Sequence, residues 1–87
     1  MLILNNYTMT QFQITYTGNA TRFKGMTATI EADSKREAVE QFYQSVLDDN
    51  YFPHDDGSIH DNRGYVIAEA DDESIEYDGG YFQAEEL

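Results

Sequence analysis

The chain has 87 residues, of which 40% are hydrophobic, and its formal net charge is −12 at pH 7. This length suits one hydrophobic core rather than two domains, and the seven tyrosines and five phenylalanines exclude a purely charged disordered tail. Because the chain has no cysteine, a disulfide framework and thiolate catalysis are also excluded.

The first eight residues predict an extension rather than a targeting segment. Met1–Leu4 is apolar for only four residues and has no basic region before it, so it resembles neither a signal peptide nor a membrane span. We expect residues 1–8 to be a flexible N-terminal extension and residues 9–87 to be a single acidic domain in the cytoplasm.

The next segment predicts two antiparallel strands. Gln11–Thr17 alternates apolar and polar residues, which is typical of a half-buried strand. After a turn, Arg22–Ala32 predicts a second strand with Met26 on its inner face, and a bulge at Gly25 would return Phe23 to the core side.

A helix follows the second strand. Ser34 and Glu37 have the spacing of a capping box, and apolar residues then recur at helical spacing from Ala38 to Leu47. Asp48 and Asp49 come at the end of this helix, where each exposed carboxylate opposes the helix dipole by roughly 0.3–1 kcal/mol. That penalty favours another use for these two carboxylates.

The last part of the chain predicts a long loop, residues 50–64, and three strands. The strands are Tyr65–Ala70, Ser74–Asp78 and Tyr81–Ala84, and Asp78-Gly79-Gly80 is a hairpin turn signal. We expect no repeated unit. The order β-β-α-β-β-β predicts an α+β fold, with one helix packed on one face of a mostly antiparallel sheet and the other face in solvent.

The charge is concentrated in this last part. Residues 1–47 contain four acids and four bases, whereas residues 48–87 contain thirteen acids and one base, so their net charge is 1 − 13 = −12. Acidity spread over the whole chain would indicate solubility or salt adaptation, but its confinement to one half favours a surface for a Lys/Arg-rich partner. The candidate contact residues are Asp48, Asp49, Asp55, Asp56, Asp61, Glu69, Asp71, Asp72, Glu73, Glu76 and Asp78, with Tyr51 and Tyr81 as aromatic anchors.

Metal binding and catalysis are weaker interpretations. His54 and His60 lie among aspartates, but their spacing matches neither a zinc-protease motif nor a calcium loop. Ser58, His60 and Asp61 lie within four residues, which is too local for a catalytic triad. We therefore predict no enzyme activity, no metal and no cofactor, and the shortage of cations argues against direct binding to nucleic acid.

The strand and capped helix of residues 27–44, together with the acidic second half, resemble small acidic inhibitors from bacteriophages and mobile elements, namely anti-CRISPR and antirestriction DNA mimics. The resemblance implies a non-enzymatic inhibitor in the bacterial cytoplasm that occupies the duplex- or PAM-binding surface of a host defence complex. Two alternatives remain: an interaction module that uses the helix or an edge strand and is acidic only for solubility, and a metal-dependent enzyme. Whether the protein is a monomer or a homodimer stays open.

Overall fold

A computed structural model describes residues 9–47 and 50–87, without the side chain of Leu47. The extension expected at residues 1–8 and the acids Asp48 and Asp49 lie outside the described residues. In chain order the elements are β1 (Thr10–Thr17), β2 (Thr27–Ala32), α1 (Lys35–Leu47), β3 (Phe52–Pro53), β4 (Ile59–His60), β5 (Val66–Ala68), β6 (Ile75–Tyr77) and β7 (Gly80–Glu86).

The described strands form two antiparallel sheets. The larger sheet has the order β2-β1-β7-β6, and the smaller has the order β3-β4-β5. Because α1 packs against all four strands of the larger sheet, the predicted α+β class is confirmed. The prediction that residues 50–64 form one long loop is wrong, because this segment contains β3 and β4. Each of these strands has two residues, too few to show the alternation by which a strand is recognised.

Strand β1 follows its predicted alternation. Phe12, Ile14 and Tyr16 are buried beneath the helix. The opposite face carries polar side chains, with Gln13 opposite Thr29 on β2. The sheet therefore has one apolar face and one polar face, as expected for an antiparallel sheet covered on one side.

Phe23 reaches the core by a route that the sequence did not predict. A short 3-10 helix, Thr21–Phe23, precedes β2, and Phe23 is completely buried. Neither the bulge nor the inward position of Met26 is correct, since β2 begins at Thr27 and Met26 is 38% exposed. The helical turn rotates Phe23 inward, and Gly25 then leaves it with a positive φ of 77°.

The capping box at the start of α1 is confirmed. The Glu37 amide donates to Ser34 Oγ at 3.1 Å, and Glu37 Oε1 accepts from the Asp33 amide at 2.7 Å. The reciprocal bond thus goes to the residue before Ser34. In residues 9–47 and 50–87, no helix is both long enough and apolar enough to cross a membrane.

The core is centred on the ring of Phe82, on β7. It is almost wholly buried, and rings from β1, the 3-10 helix, α1 and β6 surround it at centroid distances of 5.0–6.2 Å. Those rings are Tyr16, Phe23, Phe42, Tyr43 and Tyr77. Tilted and edge-to-face pairs of this kind add to the free energy gained by burial.

The N-terminal cap of α1 gives a stability prediction. Ser34→Ala removes the acceptor for the Glu37 amide and should cost about 1 kcal/mol of unfolding free energy, which lowers the melting temperature by roughly 4–8 °C. Ser45→Ala is the control, because the Ser45 hydroxyl only bonds back to the Phe42 carbonyl within the helix. Equal melting temperatures for the two variants, measured by circular dichroism, would contradict the capping role.

Candidate functional site

The second half of the chain exposes its acids. Every predicted acidic contact residue that the structure describes is solvent-exposed except Asp61, which is half-buried. Within residues 50–87 the described ion pairs amount to one, between Arg63 and Asp61 at 3.9 Å. The exposed carboxylates are Asp55, Asp56, Glu69, Asp71, Asp72, Glu73, Glu76 and Asp78.

Three of the predicted contact acids also hold their own loops in shape. Asp56 Oδ1 accepts the Ser58 amide at 2.9 Å and the Ser58 hydroxyl at 2.6 Å. Asp61 Oδ1 accepts the amides two and four residues later, and Asp72 Oδ2 accepts the Glu69 amide at 2.9 Å. Short polar side chains commonly fold turns in this way. These acids therefore keep the acidic loops ordered as well as charged.

The hydrogen bonds change the acidity of two of these groups. The Ser58 hydroxyl and amide lower the pKa of Asp56, because they stabilise the carboxylate. At Asp61, desolvation acts to raise the pKa, but the Tyr65 and Arg63 amides and the Arg63 charge outweigh it, so the pKa is lowered. Both groups are therefore carboxylates at neutral pH.

The two histidines stack on one another instead of converging on a metal. The rings of His54 and His60 lie 3.7 Å apart at an angle of 17°, so their in-plane nitrogen lone pairs point along nearly parallel planes. Among the described residues, no group of three or more His, Cys, Asp or Glu side chains is placed to hold a metal ion.

Ser58 contacts His60, but the geometry does not make a nucleophile. Ser58 Oγ lies 3.1 Å from His60 Nε2, and its hydroxyl donates to Asp56 at 2.6 Å. In a catalytic triad the carboxylate orients the histidine and the hydroxyl donates to the histidine. Here the carboxylate accepts the hydroxyl hydrogen itself, and Ser58 is only 3% exposed. The arrangement orders a loop.

One arginine, which the sequence did not single out, joins the helix to two acidic loops. Arg36 Nη1 donates to the carbonyls of Glu69 at 2.7 Å and Asp72 at 2.5 Å, and Nη2 donates to the Gly57 carbonyl at 2.9 Å. Arg36 Nε lies 2.7 Å from Glu40 Oε2, four residues along the helix. Both Nη atoms are therefore engaged with loop carbonyls, whereas Nε makes an ion pair with Glu40 but no hydrogen bond of good geometry.

A groove of about 1090 Å³ lies between the smaller sheet and the β6–β7 hairpin. Strand β5 and the loop before it form one wall, and β6 with its turn forms the other. The lining of the groove is largely polar, and three exposed apolar or aromatic side chains lie within it, with Tyr65 at 66%, Val66 at 42% and Tyr81 at 37% exposure. The carboxylates of Asp61, Glu76 and Asp78 line the same space.

The hairpin turn shapes one end of this groove. Asp78 and Gly79 both have positive φ, 47° and 77°, as a two-residue type I′ turn requires, so the predicted hairpin is confirmed. The strand predicted over Ser74–Asp78 is shorter in the structure, because β6 ends at Tyr77 and Asp78 lies in the turn.

Of the two predicted aromatic anchors, only Tyr81 lies in the groove. Tyr51 is half-buried, its hydroxyl donates to Glu40 Oε1 at 3.0 Å, and its ring packs 6.1 Å from that of Tyr43. Burial and the bond to Glu40 raise the pKa of Tyr51 well above its ordinary value. The groove residue that the sequence missed is Tyr65, which was placed inside a strand but lies before β5 and is the most exposed of the groove aromatics.

The groove walls belong to two copies of one sequence unit. Residues 55–70, DDGSIHDNRGYVIAEA, and residues 71–86, DDESIEYDGGYFQAEE, are identical at eight of sixteen positions. The expectation of no repeat is therefore wrong. The shared residues are Asp55 and Asp71, Asp56 and Asp72, Ser58 and Ser74, Ile59 and Ile75, Gly64 and Gly80, Tyr65 and Tyr81, Ala68 and Ala84, and Glu69 and Glu85.

The repeat is visible in the structure as two hairpins, β4–β5 and β6–β7. The isoleucine and alanine of each copy are buried, whereas the tyrosine of each copy, Tyr65 or Tyr81, is exposed and lines the groove. The glycines serve different needs: Gly64 has a φ of 89°, and a side chain at Gly80 would collide with the Thr17 carbonyl. The two tyrosines that match in the sequence thus both line the groove, Tyr65 from the loop before β5 and Tyr81 from β7.

Comparison with family models, with curated protein sequences and with solved structures gave no match. The described residues form a concave surface that combines the exposed rings of Tyr65 and Tyr81 with the exposed carboxylates of Glu76 and Asp78. Such a combination attracts cationic groups.

Arg36 yields the first prediction for this region. Arg36→Met keeps an unbranched apolar stem but removes the guanidinium and its bonds to the two loops, and should cost about 2 kcal/mol, in the range for hydrogen bonds to charged groups. Lys35→Met is the matched control, because it removes the same charge from the neighbouring, exposed position of the helix. Hydrogen exchange should accelerate at residues 54–58 and 69–73 in Arg36→Met alone. Equal protection in both variants would contradict the loop contacts.

Asp56 yields a pH-dependent prediction. Its pKa is lowered in the fold, so its contribution to stability is present above the unfolded value of about 3.9 and is lost as the pH falls through the folded value. Asp56→Ala should therefore lower the melting temperature at pH 7, and the difference from the parent protein should shrink below about pH 4.

Asp55→Ala is the control for that experiment, because the structure shows no hydrogen bond to the Asp55 carboxylate among the described residues. Removing Asp55 only reduces repulsion, so its melting temperature at pH 7 should be unchanged or higher. A decrease in melting temperature that is equal in the two variants, or that does not change with pH, would contradict the role of the Asp56–Ser58 bonds.

Proposed function

We propose that this protein is a non-enzymatic inhibitor that binds the Lys/Arg-lined, nucleic-acid-binding surface of a host defence complex, such as a CRISPR effector, and thereby excludes DNA. The observation that carries the proposal is the exposure of carboxylates beside an aromatic groove, with Arg63 as the one basic residue of that half of the chain. A partner of opposite charge would pair with groups that this chain leaves in solvent.

The amount of charge supports the proposal. Duplex DNA carries one negative charge for each ~1.7 Å of helix axis, so twelve net charges correspond to roughly 20 Å of duplex. A site that has evolved to grip phosphates with arginine and lysine also accepts carboxylates, which take paired hydrogen bonds from a guanidinium. The second half of the chain therefore carries the same charge as a short DNA segment, which a phosphate-binding site of the target could accept in place of DNA.

The ordered loops give the charge fixed positions. Arg36 holds the loops at residues 57 and 69–72 against the helix, and Asp56, Asp61 and Asp72 fold the turns around them. Preorganised charges lose less conformational entropy on binding than charges on a disordered tail. This rigidity favours recognition of a particular surface over general acidity.

The alternative of an interaction module that uses the helix has less support. The apolar stripe of α1 is already buried in the core, at Ala38, Val39, Phe42 and Tyr43, and its exposed positions are polar. Strand β2 is an edge of the larger sheet and remains available for strand addition. Binding through that edge would not depend on the acids of the second half.

Charge reversal at two places tests the proposal. The triple variant Asp71→Lys, Glu73→Lys and Glu76→Lys changes three exposed acids of the second copy, and the net charge becomes −12 + 6 = −6. The control triple, Glu31→Lys, Asp33→Lys and Glu86→Lys, reaches the same net charge with exposed acids that line neither the groove nor the surface beside Glu73.

Both triples and the parent protein are tested for binding to a purified CRISPR effector in the presence and absence of target duplex. The parent should compete with the duplex and should associate more slowly as salt rises. The first triple should associate at least about tenfold more slowly at low salt, whereas the control should lose much less. Binding that changes neither with added duplex nor with salt would overturn the proposal, and so would an equal decrease in association rate in the two triples.

A further inference from the structure

We propose that the groove between the two repeated hairpins binds an arginine side chain on an extended segment of the partner protein. This inference rests on the proposed function and specifies which group of the partner enters the acidic surface. Three features support it: the contacts that Arg63 makes at the wall of the groove, the aromatic side chains of the groove, and its size.

One guanidinium of this chain lies at the wall of the groove. The Arg63 Cζ atom is 5.7 Å from the centroid of the Tyr65 ring, within the range of a cation–π contact. Arg63 Nη2 is also 3.9 Å from Asp61 Oδ2. The Arg63 side chain is 77% exposed, so these contacts hold it only loosely. Tyr65 and Asp61 thus make the two kinds of contact that a guanidinium prefers, and an arginine of the partner can take them over.

The opposite wall repeats the same chemistry. Tyr81 occupies in the second copy the position that Tyr65 has in the first, and both line the groove with an exposed ring. Glu76 and Asp78 supply exposed carboxylates on that wall. Aromatic faces together with carboxylates match a guanidinium, which stacks flat on a ring and donates paired hydrogen bonds, better than the compact ammonium group of lysine.

The size of the groove indicates a segment of chain. Its volume of about 1090 Å³ is at the upper end of the range for small-molecule pockets, roughly 300–1,000 Å³. An arginine with the neighbouring residues of an extended peptide fills such a space, whereas a single guanidinium does not. The negative charge around the rim favours a segment with more than one cation.

The peptide does not pair with β6 as an additional strand at Glu76, the central residue of β6. The Tyr43 hydroxyl, from the helix, donates to the Glu76 carbonyl at 3.3 Å. Burial, followed by the nearby Tyr77 and Asp61, raises the pKa of Tyr43, so this hydroxyl remains a donor at neutral pH. Recognition in the groove therefore depends on side chains rather than on strand pairing.

The consequence is that Arg63 competes with the partner. Arg63→Gln should strengthen the binding of an arginine peptide, because it frees the face of Tyr65. Arg22→Gln is the matched control, since Arg22 is also exposed, also lies over a ring, that of Phe23 at 4.8 Å, and does not line the groove. Both variants have the same net charge, so a difference between them reports the groove itself.

The probes are two capped pentapeptides, Gly-Arg-Gly-Arg-Gly and Gly-Lys-Gly-Lys-Gly, titrated into the isotope-labelled full chain and followed by amide chemical shifts. The arginine peptide should bind more tightly than the lysine peptide and should shift residues 61–67 and 76–81. Arg63→Gln should tighten its binding by about two- to five-fold relative to Arg22→Gln, and Tyr65→Ala or Tyr81→Ala should weaken it by a similar factor. Thermal melts confirm that each variant is folded.

Equal affinity for the two peptides, shifts spread over all the acidic loops, or equal affinity of Arg63→Gln and Arg22→Gln would each overturn the inference. None of these results would affect the proposed function, which is measured by competition with duplex DNA on the effector. Failure of that competition, with the peptide preference intact, would leave an arginine-binding groove whose partner is of another kind.

Discussion

The acidic surface depends on a single guanidinium that points inward. Arg36, in the first turn of the helix, gives its hydrogen bonds to carbonyls at the start of both repeated units, Gly57 in the first and Asp72 in the second. Both units begin with paired aspartates, which repel one another when their loops approach. Arg36 offsets that repulsion through the backbone, and so leaves the carboxylates free to face solvent.

Because Arg36 binds the loops through their backbone carbonyls, a chain with so many acids keeps a defined shape. Asp56 and Asp61 each accept backbone amides with one carboxylate oxygen and so fold a turn. Aspartates do this in turns whatever the net charge of the protein. Among the described residues, the buried core around Phe82 contains no acidic or basic side chain. Charge and core thus occupy separate regions, joined by the helix.

The sequence predicted those parts that depend on near neighbours. The alternation of β1 and the Ser34–Glu37 cap involve residues a few positions apart, and both were confirmed. Phe23 was misplaced because a 3-10 turn leaves no periodic signal. Arg36 could not be recognised, since its partners lie 21 to 36 positions away. The repeat is visible without a structure, since its two copies align without a gap in the sequence. It was missed because residues 50–64 were interpreted as a loop and the following residues as strands, and with it the groove and Tyr65 were missed as well.

The tandem unit has a consequence for how such a protein can change. Each unit contains its own buried isoleucine, its turn, one exposed tyrosine and several carboxylates. The two units are nevertheless not interchangeable, because the second also supplies Phe82, the centre of the core, on an inner strand of the larger sheet. Loss of the first unit would remove one wall of the groove, whereas loss of the second would remove the core as well.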